Sequence, residues 1–293
     1  MGKTILEVLN FTTKLFWEKD IESPRIEAEL LLCHILNFKR TELYLNSQRV
    51  LSSEEEQRLK TLTEERLSGK PLQYVTGEVE FFGLKFKIDP RALIPRPETE
   101  ILVSKVLEHF KEEKKESDFL KIADIGTGCG NIATSLAYHL KNSLVYATDL
   151  SLDALSLAKE NAEINEVKGR IEFLHGDLLA PLKDKNLENQ MNAIASNPPY
   201  VQKEEKEILP EEVKEYEPEI ALFSSEEGYN LYQQIIEQSS VYLKKGEGFL
   251  ALETGYNQAQ IVKSMIENRD DFISIEVLKD LCGIERVISA IRR

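Results

Sequence analysis

Asn197-Pro198-Pro199-Tyr200 is the stretch whose residue types could do chemistry at a single point. It follows Ala193-Ile194-Ala195-Ser196, an apolar run that reads as the end of a buried strand. Two consecutive prolines stop a sheet there, because neither ring nitrogen can donate to a ladder. They also stiffen the turn and leave the Pro198 carbonyl without a local partner. With the Asn197 side-chain oxygen beside it, that carbonyl makes two acceptors aimed at one spot. They match the two hydrogens of a planar NH2 group on an sp2 carbon.

Three other places supply chemistry of a different kind. Asp124-Ile125-Gly126-Thr127-Gly128-Cys129-Gly130 follows a strand and opens a helix. Its glycines allow close backbone approach and positive φ, and N–H groups at a helix start favour an anionic group. The spacing is GxGxG rather than the GxGxxG dinucleotide fingerprint, and no Lys-Ser/Thr of a phosphate-binding loop follows. Asp149 ends the next strand, where a carboxylate can accept both hydroxyls of a ribose while Ser151 caps the following helix. Gly176-Asp177-Leu178 ends the third strand; Asp177 could accept from an exocyclic amine and Leu178 could wall one face of a ring. Three such sites at successive strand ends describe a nucleoside pocket.

The elements that must position these residues are legible from periodicity. Runs at 121–125, 144–148, 170–174, 192–196, 247–253, 272–278 and 285–291 read as strands, with helices between them, for example 131–140, 152–161 and 229–243. That alternation predicts an α/β layered, mostly parallel sheet. Residues 279–284 are too few for a crossover helix, so the last two strands pair antiparallel. Residues 1–70 read as a small helical bundle. Ile5, Val8, Leu9, Thr12, Leu15 and Phe16 share one face. Ser23-Pro24 opens a second helix carrying Ile26, Leu30, Leu31, His34 and Ile35, and Ser53 with Glu56 forms a capping box. Residues 71–94 form a linker with a strand pair or bent strand at 80–88, and 95–293 form the sheet domain.

At 293 residues the chain suits one large or two unequal domains, and 42% apolar with 30% charged residues is a soluble composition. No apolar run approaches a bilayer span and the N-terminus has no signal-peptide core, so a cytoplasmic protein without membrane association is expected. Cys33, Cys129 and Cys282 form no disulfide framework, and His34, His109, His139 and His175 match no metal spacing, so no metal is expected. A net charge of −14 argues against a broad phosphate-binding surface.

The glycine loop, Asp149 and Leu178 together resemble the Rossmann-like S-adenosylmethionine (AdoMet) methyltransferases, and Asn-Pro-Pro-Tyr resembles those that modify amino groups. Pro71-Leu72-Gln73-Tyr74-Val75-Thr76-Gly77-Glu78, Phe81-Phe82-Gly83, Ile94-Pro95-Arg96-Pro97-Glu98-Thr99-Glu100 and Tyr216-Glu217-Pro218-Glu219-Ile220-Ala221-Leu222-Phe223 are similar to the release factor glutamine methyltransferases (the PrmC/HemK family). The resemblance runs from about residue 20 to the C-terminus. It implies a helical N-terminal domain that recognises the substrate protein, a β-hairpin linker and a seven-stranded Rossmann-like domain. It implies AdoMet as methyl donor and the glutamine of a Gly-Gly-Gln loop in peptide chain release factors as acceptor. By motif, Gly126, Thr127, Gly128, Cys129 and Gly130 hold the methionine moiety, Asp149 the ribose and Leu178 the adenine, from whose exocyclic amine Asp177 is placed by its residue type to accept. Asn197, Pro198, Pro199 and Tyr200 hold the glutamine, with Asn197 close to both ligands, Asn197 and Pro198 accepting its amide hydrogens and Tyr200 packed on the amide. The chain departs from the family pattern at Asn192, where Asp is usual, at Leu178, where an aromatic is usual, and at Cys129, where Ser or another small residue is usual.

Two further readings share parts of this pattern. A nucleic-acid adenine-N6 or cytosine-N4 methyltransferase needs the same amino grip, but residues 201–228 hold ten glutamates against three lysines and would repel a phosphate backbone. A nucleotide-binding scaffold would have no need of the paired prolines. An NAD-dependent oxidoreductase would want the GxGxxG spacing and a hydride-transfer acid or base.

Overall fold

The computed structural model describes residues 2–113, 118–224 and 229–293. The chain divides into two compact units. The first runs through Gly77 and takes in Pro210–Tyr216; the second comprises Glu78–Leu209 and Glu217–Arg293. The boundary between the units lies between Gly77 and Glu78, inside the stretch 71–94 expected as a linker. The hairpin expected as a linker belongs to the sheet unit because its apolar face packs into that unit's core.

The first unit contains α1 (Ile5–Glu18), α2 (Pro24–Leu36), α3 (Arg40–Leu45), α4 (Ser53–Leu67) and α5 (Leu72–Thr76). Ile5, Val8, Leu9 and Phe16 of α1 meet Ala28, Leu31, Leu32 and Ile35 of α2 in one apolar cluster. Ile26 and Leu30, expected on the inner face of α2, are exposed, and Ala28 and Glu29 take their place. Glu29 can sit there because Arg25, Arg40 and Tyr44 all bond its carboxylate. The N-cap expected at Ser53 lies one residue earlier, at Ser52. Ser52 is the extended N-cap and accepts from Glu55 N–H at 3.2 Å, while Glu55 returns a bond to Ser52 N–H at 2.8 Å. Tandem serines followed by three glutamates leave that register open to sequence reading alone.

The second unit opens with β1 (Glu78–Phe81) and β2 (Leu84–Lys87), joined by Phe82 and Gly83. Both turn residues have positive φ, +51° and +72°, as a tight hairpin turn demands. There follow α6 (Thr99–Glu112), β3 (Leu120–Ile125), α7 (Asn131–His139), β4 (Ser143–Asp149), α8 (Leu152–Ile164), β5 (Ile171–His175) and β6 (Ala193–Ser196). A short α9 (Glu211–Tyr216) belongs to the first unit. Next come α10 (Glu219–Leu222), α11 (Asn230–Tyr242), β7 (Phe249–Glu253), α12 (Ala259–Glu267), β8 (Phe272–Lys279) and β9 (Glu285–Arg292).

β3 to β9 form one seven-stranded sheet in the order β5-β4-β3-β6-β7-β9-β8. β9 runs antiparallel to both β7 and β8, and the other neighbours pair in parallel. Alternate residues of β7 serve opposite faces: Phe249 and Ala251 join the cluster with α6 and α7, while Leu250 and Leu252 join that with α11 and α12. The result is a helix–sheet–helix sandwich. From β3 the chain winds outward through β4 and β5, then returns to lay β6 on the other side of β3. Between the C-terminal ends of β3 and β6 the winding reverses, and such a switch point opens a crevice. Among the described residues, no helix is long and apolar enough to cross a membrane, and no group of three or more His, Cys, Asp or Glu is placed to hold a metal.

Candidate active site

A cavity occupies this crevice. Gly126 to Cys129, Asp149, Asp177, Leu178, Asn197, Pro198 and Pro199 all line it, so four separate strand ends contribute. Gly130 closes the glycine loop as the left-handed N-cap of α7, and Tyr200 lies beside the cavity without lining it.

The loop after β3 is held by a buried carboxyl. Thr127 Oγ1 donates to Asp124 Oδ2 at 2.6 Å, and Ala133 N–H donates to the same oxygen at 3.1 Å. Gly126, Gly128 and Gly130 have φ of +66°, +56° and +82°, a region that other residues enter at a cost. Asp124 is fully buried, and among the described residues its Oδ1 has no hydrogen-bond partner. Burial pushes its pKa up to about 7, against the lowering effect of its two donors. Cys129 is buried too, and desolvation pushes its thiol up to about 12, so it is a packing residue in the loop wall rather than a nucleophile.

Asp149 Oδ2 accepts from Gly128 N–H and Oδ1 from Ser151 N–H, both at 2.8 Å. One carboxylate thus joins the glycine loop to the start of α8. Each oxygen keeps a lone pair, so two further donors can be accepted. Burial raises the Asp149 pKa, opposed by the backbone N–H groups it accepts from. Ser151 caps α8 by accepting from Ala154 N–H at 3.1 Å, which leaves Asp149 free of that duty. Leu178 is buried with φ of +47°, while Asp177 beside it is exposed.

After β6, Ser196 Oγ donates to the Ile125 carbonyl at 2.9 Å and pins the two central strands together. Asn197 Nδ2 donates to Thr99 Oγ1 at 3.1 Å. No described residue donates to Asn197 Oδ1, which is left as an acceptor. The Tyr200 ring lies over Gly255, where an added methyl would come within 2.8 Å of it, and the Tyr200 carbonyl accepts from Gln258 Nε2 at 2.9 Å. Burial pushes the Tyr200 phenol up to about 12, so it stays neutral. The far wall comes from two segments joined by Glu217. Its carboxylate accepts from Arg96 at 2.6 Å and from Ile94 N–H at 3.2 Å. Residues 225–228 of the acidic run lie outside the described residues.

Four residues of this neighbourhood carry no role in the sequence reading: Asp124, Thr99, Glu217 and Glu253. Glu253 ends β7, is 1% exposed, and burial pushes its carboxyl up to about 7, with the Thr99 hydroxyl opposing. A charged residue closing the all-apolar run Phe249-Leu250-Ala251-Leu252 is the signal that could have marked it.

Residues 7–77 match the model described as PrmC N-terminal domain, and residues 99–214 that described as Methyltransferase small domain. The chain is 37% identical to the release factor glutamine methyltransferase of Chlorobaculum tepidum, over 98% of this chain and 96% of that one. Identity to the enzyme of the same name from Thermodesulfovibrio yellowstonii is 39%, over 89% and 90%. The N-terminal domain of human METTL16, solved in complex with SAH, is 18% identical with a TM-score of 0.53, covering 89% of this chain and 93% of that one; this likeness is one of fold.

Proposed function

Since the chain belongs to the family of release factor glutamine methyltransferases, we propose that Asn197 Oδ1 and the Pro198 carbonyl hold the two amide hydrogens of the substrate glutamine beside the methyl donor. The chain is an AdoMet-dependent methyltransferase acting on a glutamine side-chain amide of a release factor. The observation that carries the proposal is the polarity of Asn197: Nδ2 donates one hydrogen to Thr99, and no described residue donates to Oδ1.

The residues present fit AdoMet. The glycine loop lets backbone N–H groups come close to a carboxylate, Asp149 has lone pairs left for two ribose hydroxyls, and Leu178 offers a buried apolar wall. When bound, AdoMet supplies an electrophilic methyl carbon on a sulfonium sulfur. An amide nitrogen is a weak nucleophile, since its lone pair is delocalised into the carbonyl. Two acceptors on its hydrogens fix its direction and push electron density back onto it. Orientation of this kind is worth up to roughly 7–11 kcal/mol in the best cases. As the nitrogen gains a methyl it becomes positive, the same two oxygens stabilise that charge, and one N–H proton then leaves to water. The neutral Tyr200 ring excludes water from one side.

We further assign the glutamine to a Gly-Gly-Gln loop and give residues 1–70 the task of recognising the release factor, working in the cytoplasm. Glu204, Glu205, Glu207 and Glu219 follow the Asn-Pro-Pro-Tyr turn and disfavour a nucleic-acid backbone as the substrate. The deciding experiment is mass spectrometry of a release factor incubated with AdoMet and either the wild-type enzyme or Asn197→Ala. The wild type should add one methyl to the loop glutamine. The variant should bind AdoMet but turn over about 10²-fold more slowly. Near-normal turnover by the variant overturns the grip.

A further inference from the structure

An amide side chain has two ends of nearly equal shape and opposite hydrogen-bonding sense. If Asn197 were flipped, its NH2 would face the NH2 of the glutamine, donor against donor, and the grip would fail. Thr99 Oγ1 receives the Nδ2 end at 3.1 Å, yet a hydroxyl could equally donate to the oxygen end of a flipped amide. Something must take the hydroxyl proton elsewhere for the choice to be unique. Glu253 stands where it can. Ser196 pairs with Leu252 in the parallel β6–β7 ladder, so Asn197 and Glu253 are the next residues on neighbouring strands. The Glu253 carboxylate is buried beside the Thr99 hydroxyl, and among the described residues its Oε2 has no hydrogen-bond partner. A buried carboxyl without full partners is costly, and four apolar residues precede it on the strand, so its presence calls for a reason.

We propose that Thr99 and Glu253 are positioning residues: ionised Glu253 draws the Thr99 hydroxyl proton, which leaves Thr99 only an acceptor toward Asn197 and turns Asn197 Oδ1 to the substrate. This rests on the reading of Asn197 as an acceptor for the glutamine. A carboxylate can only accept, which makes the orientation one-way. Protonation of Glu253 would supply a competing donor and release Thr99 to point either way. The charged and titratable groups around Glu253 are Glu98, which raises its pKa, Arg286 and Arg96, which lower it, and the phenols of Tyr200 and Tyr232, both pushed up by burial and neutral, the Tyr232 hydroxyl donating to the Glu253 carbonyl at 3.0 Å.

The test uses the full chain, AdoMet and a release factor, with Thr99→Val, Thr99→Ser, Glu253→Gln and Asn197→Ala compared by kcat, by AdoMet dissociation constant from calorimetry, and by thermal melting. Thr99→Val keeps the shape and removes the hydroxyl; kcat should fall about tenfold while AdoMet affinity stays within about threefold, the loss expected for one orienting hydrogen bond. Thr99→Ser restores the hydroxyl and should recover most of the turnover. Wild-type kcat should fall as pH drops through neutrality, and Glu253→Gln should have a lowered kcat without that limb. Equal turnover for Thr99→Val and wild type, equal losses for Val and Ser, or a limb that persists in Glu253→Gln would each overturn the inference. If those results come with an inactive Asn197→Ala, only the positioning role fails; a fully active Asn197→Ala brings down the grip itself.

Discussion

Gly130 stands where backbone conformation and packing both exclude a side chain. It has φ of +82°, and a methyl placed on it would lie 2.9 Å from Ala158 Cβ and 3.2 Å from Ala158 Cα on α8. Gly130→Ala therefore incurs two costs. Holding a non-glycine residue in the left-handed region takes about 1–2 kcal/mol. Forcing a methyl against a packed helix adds about 1–3 kcal/mol, because both Ala158 and the start of α7 are buried and neither can retreat without disturbing the sheet. The total is about 2–5 kcal/mol of destabilisation, measured by urea unfolding. The two parts separate in a double-mutant cycle with Ala158→Gly. That change alone costs about 1 kcal/mol as a glycine inside a helix, but it removes the Cβ that Gly130→Ala would strike. The double variant should be more stable than the sum of the single effects by about 1–2 kcal/mol, since only the steric part is relieved. A Gly130→Ala protein within about 0.5 kcal/mol of wild type would refute the backbone argument, and strict additivity would refute the steric one.

Asp149→Ala removes the acceptor shared by Gly128 and Ser151 and should raise the AdoMet dissociation constant by about 10- to 100-fold in calorimetry; unchanged binding removes Asp149 from the pocket. Gly255→Ala places a methyl 2.8 Å from the Tyr200 ring and 2.9 Å from Gln258 Oε1. Turnover should drop about tenfold, with AdoMet affinity less affected, and equal losses in both would show a general distortion instead. Asp124 has a native pKa of about 7 against 3.8 for the free group. The raised native value means its contribution is fully present below the unfolded pKa and lost as pH rises through about 7. Urea unfolding at several pH values should show a loss of up to about 4 kcal/mol from this group, smaller in Asp124→Asn, and identical slopes for the two proteins would contradict the assignment.

Much of this molecule is legible along the chain because its signals are local. Apolar runs of strand length alternating with helical periods specify the sheet and its layers. The short 279–284 connection specifies the antiparallel final pair, since a parallel pair needs a crossover that six residues cannot make. The residues brought to the cavity by β3, β4, β5 and β6 are those that end strands in the sequence, because a strand end is itself a local event. Local ambiguity explains the slips. Ser52 and Ser53 present the same capping chemistry one residue apart, and Glu29 reads as a surface residue until Arg25, Arg40 and Tyr44 are known to surround it.

The amino-acid order by itself determined which elements form and which residues stand at their ends, because propensity, proline stops and glycine conformations act over a few neighbours. It takes the folded sheet to bring Thr99, 98 positions away in the chain, to Asn197, to bury Glu253 beside Thr99 at the end of the neighbouring strand, and to join Glu217 to Arg96 and Ile94 across 121 and 123 positions. Those meetings follow from sheet order and strand register. These are settled by burying apolar faces of the whole unit at once, and no short window of sequence carries that information.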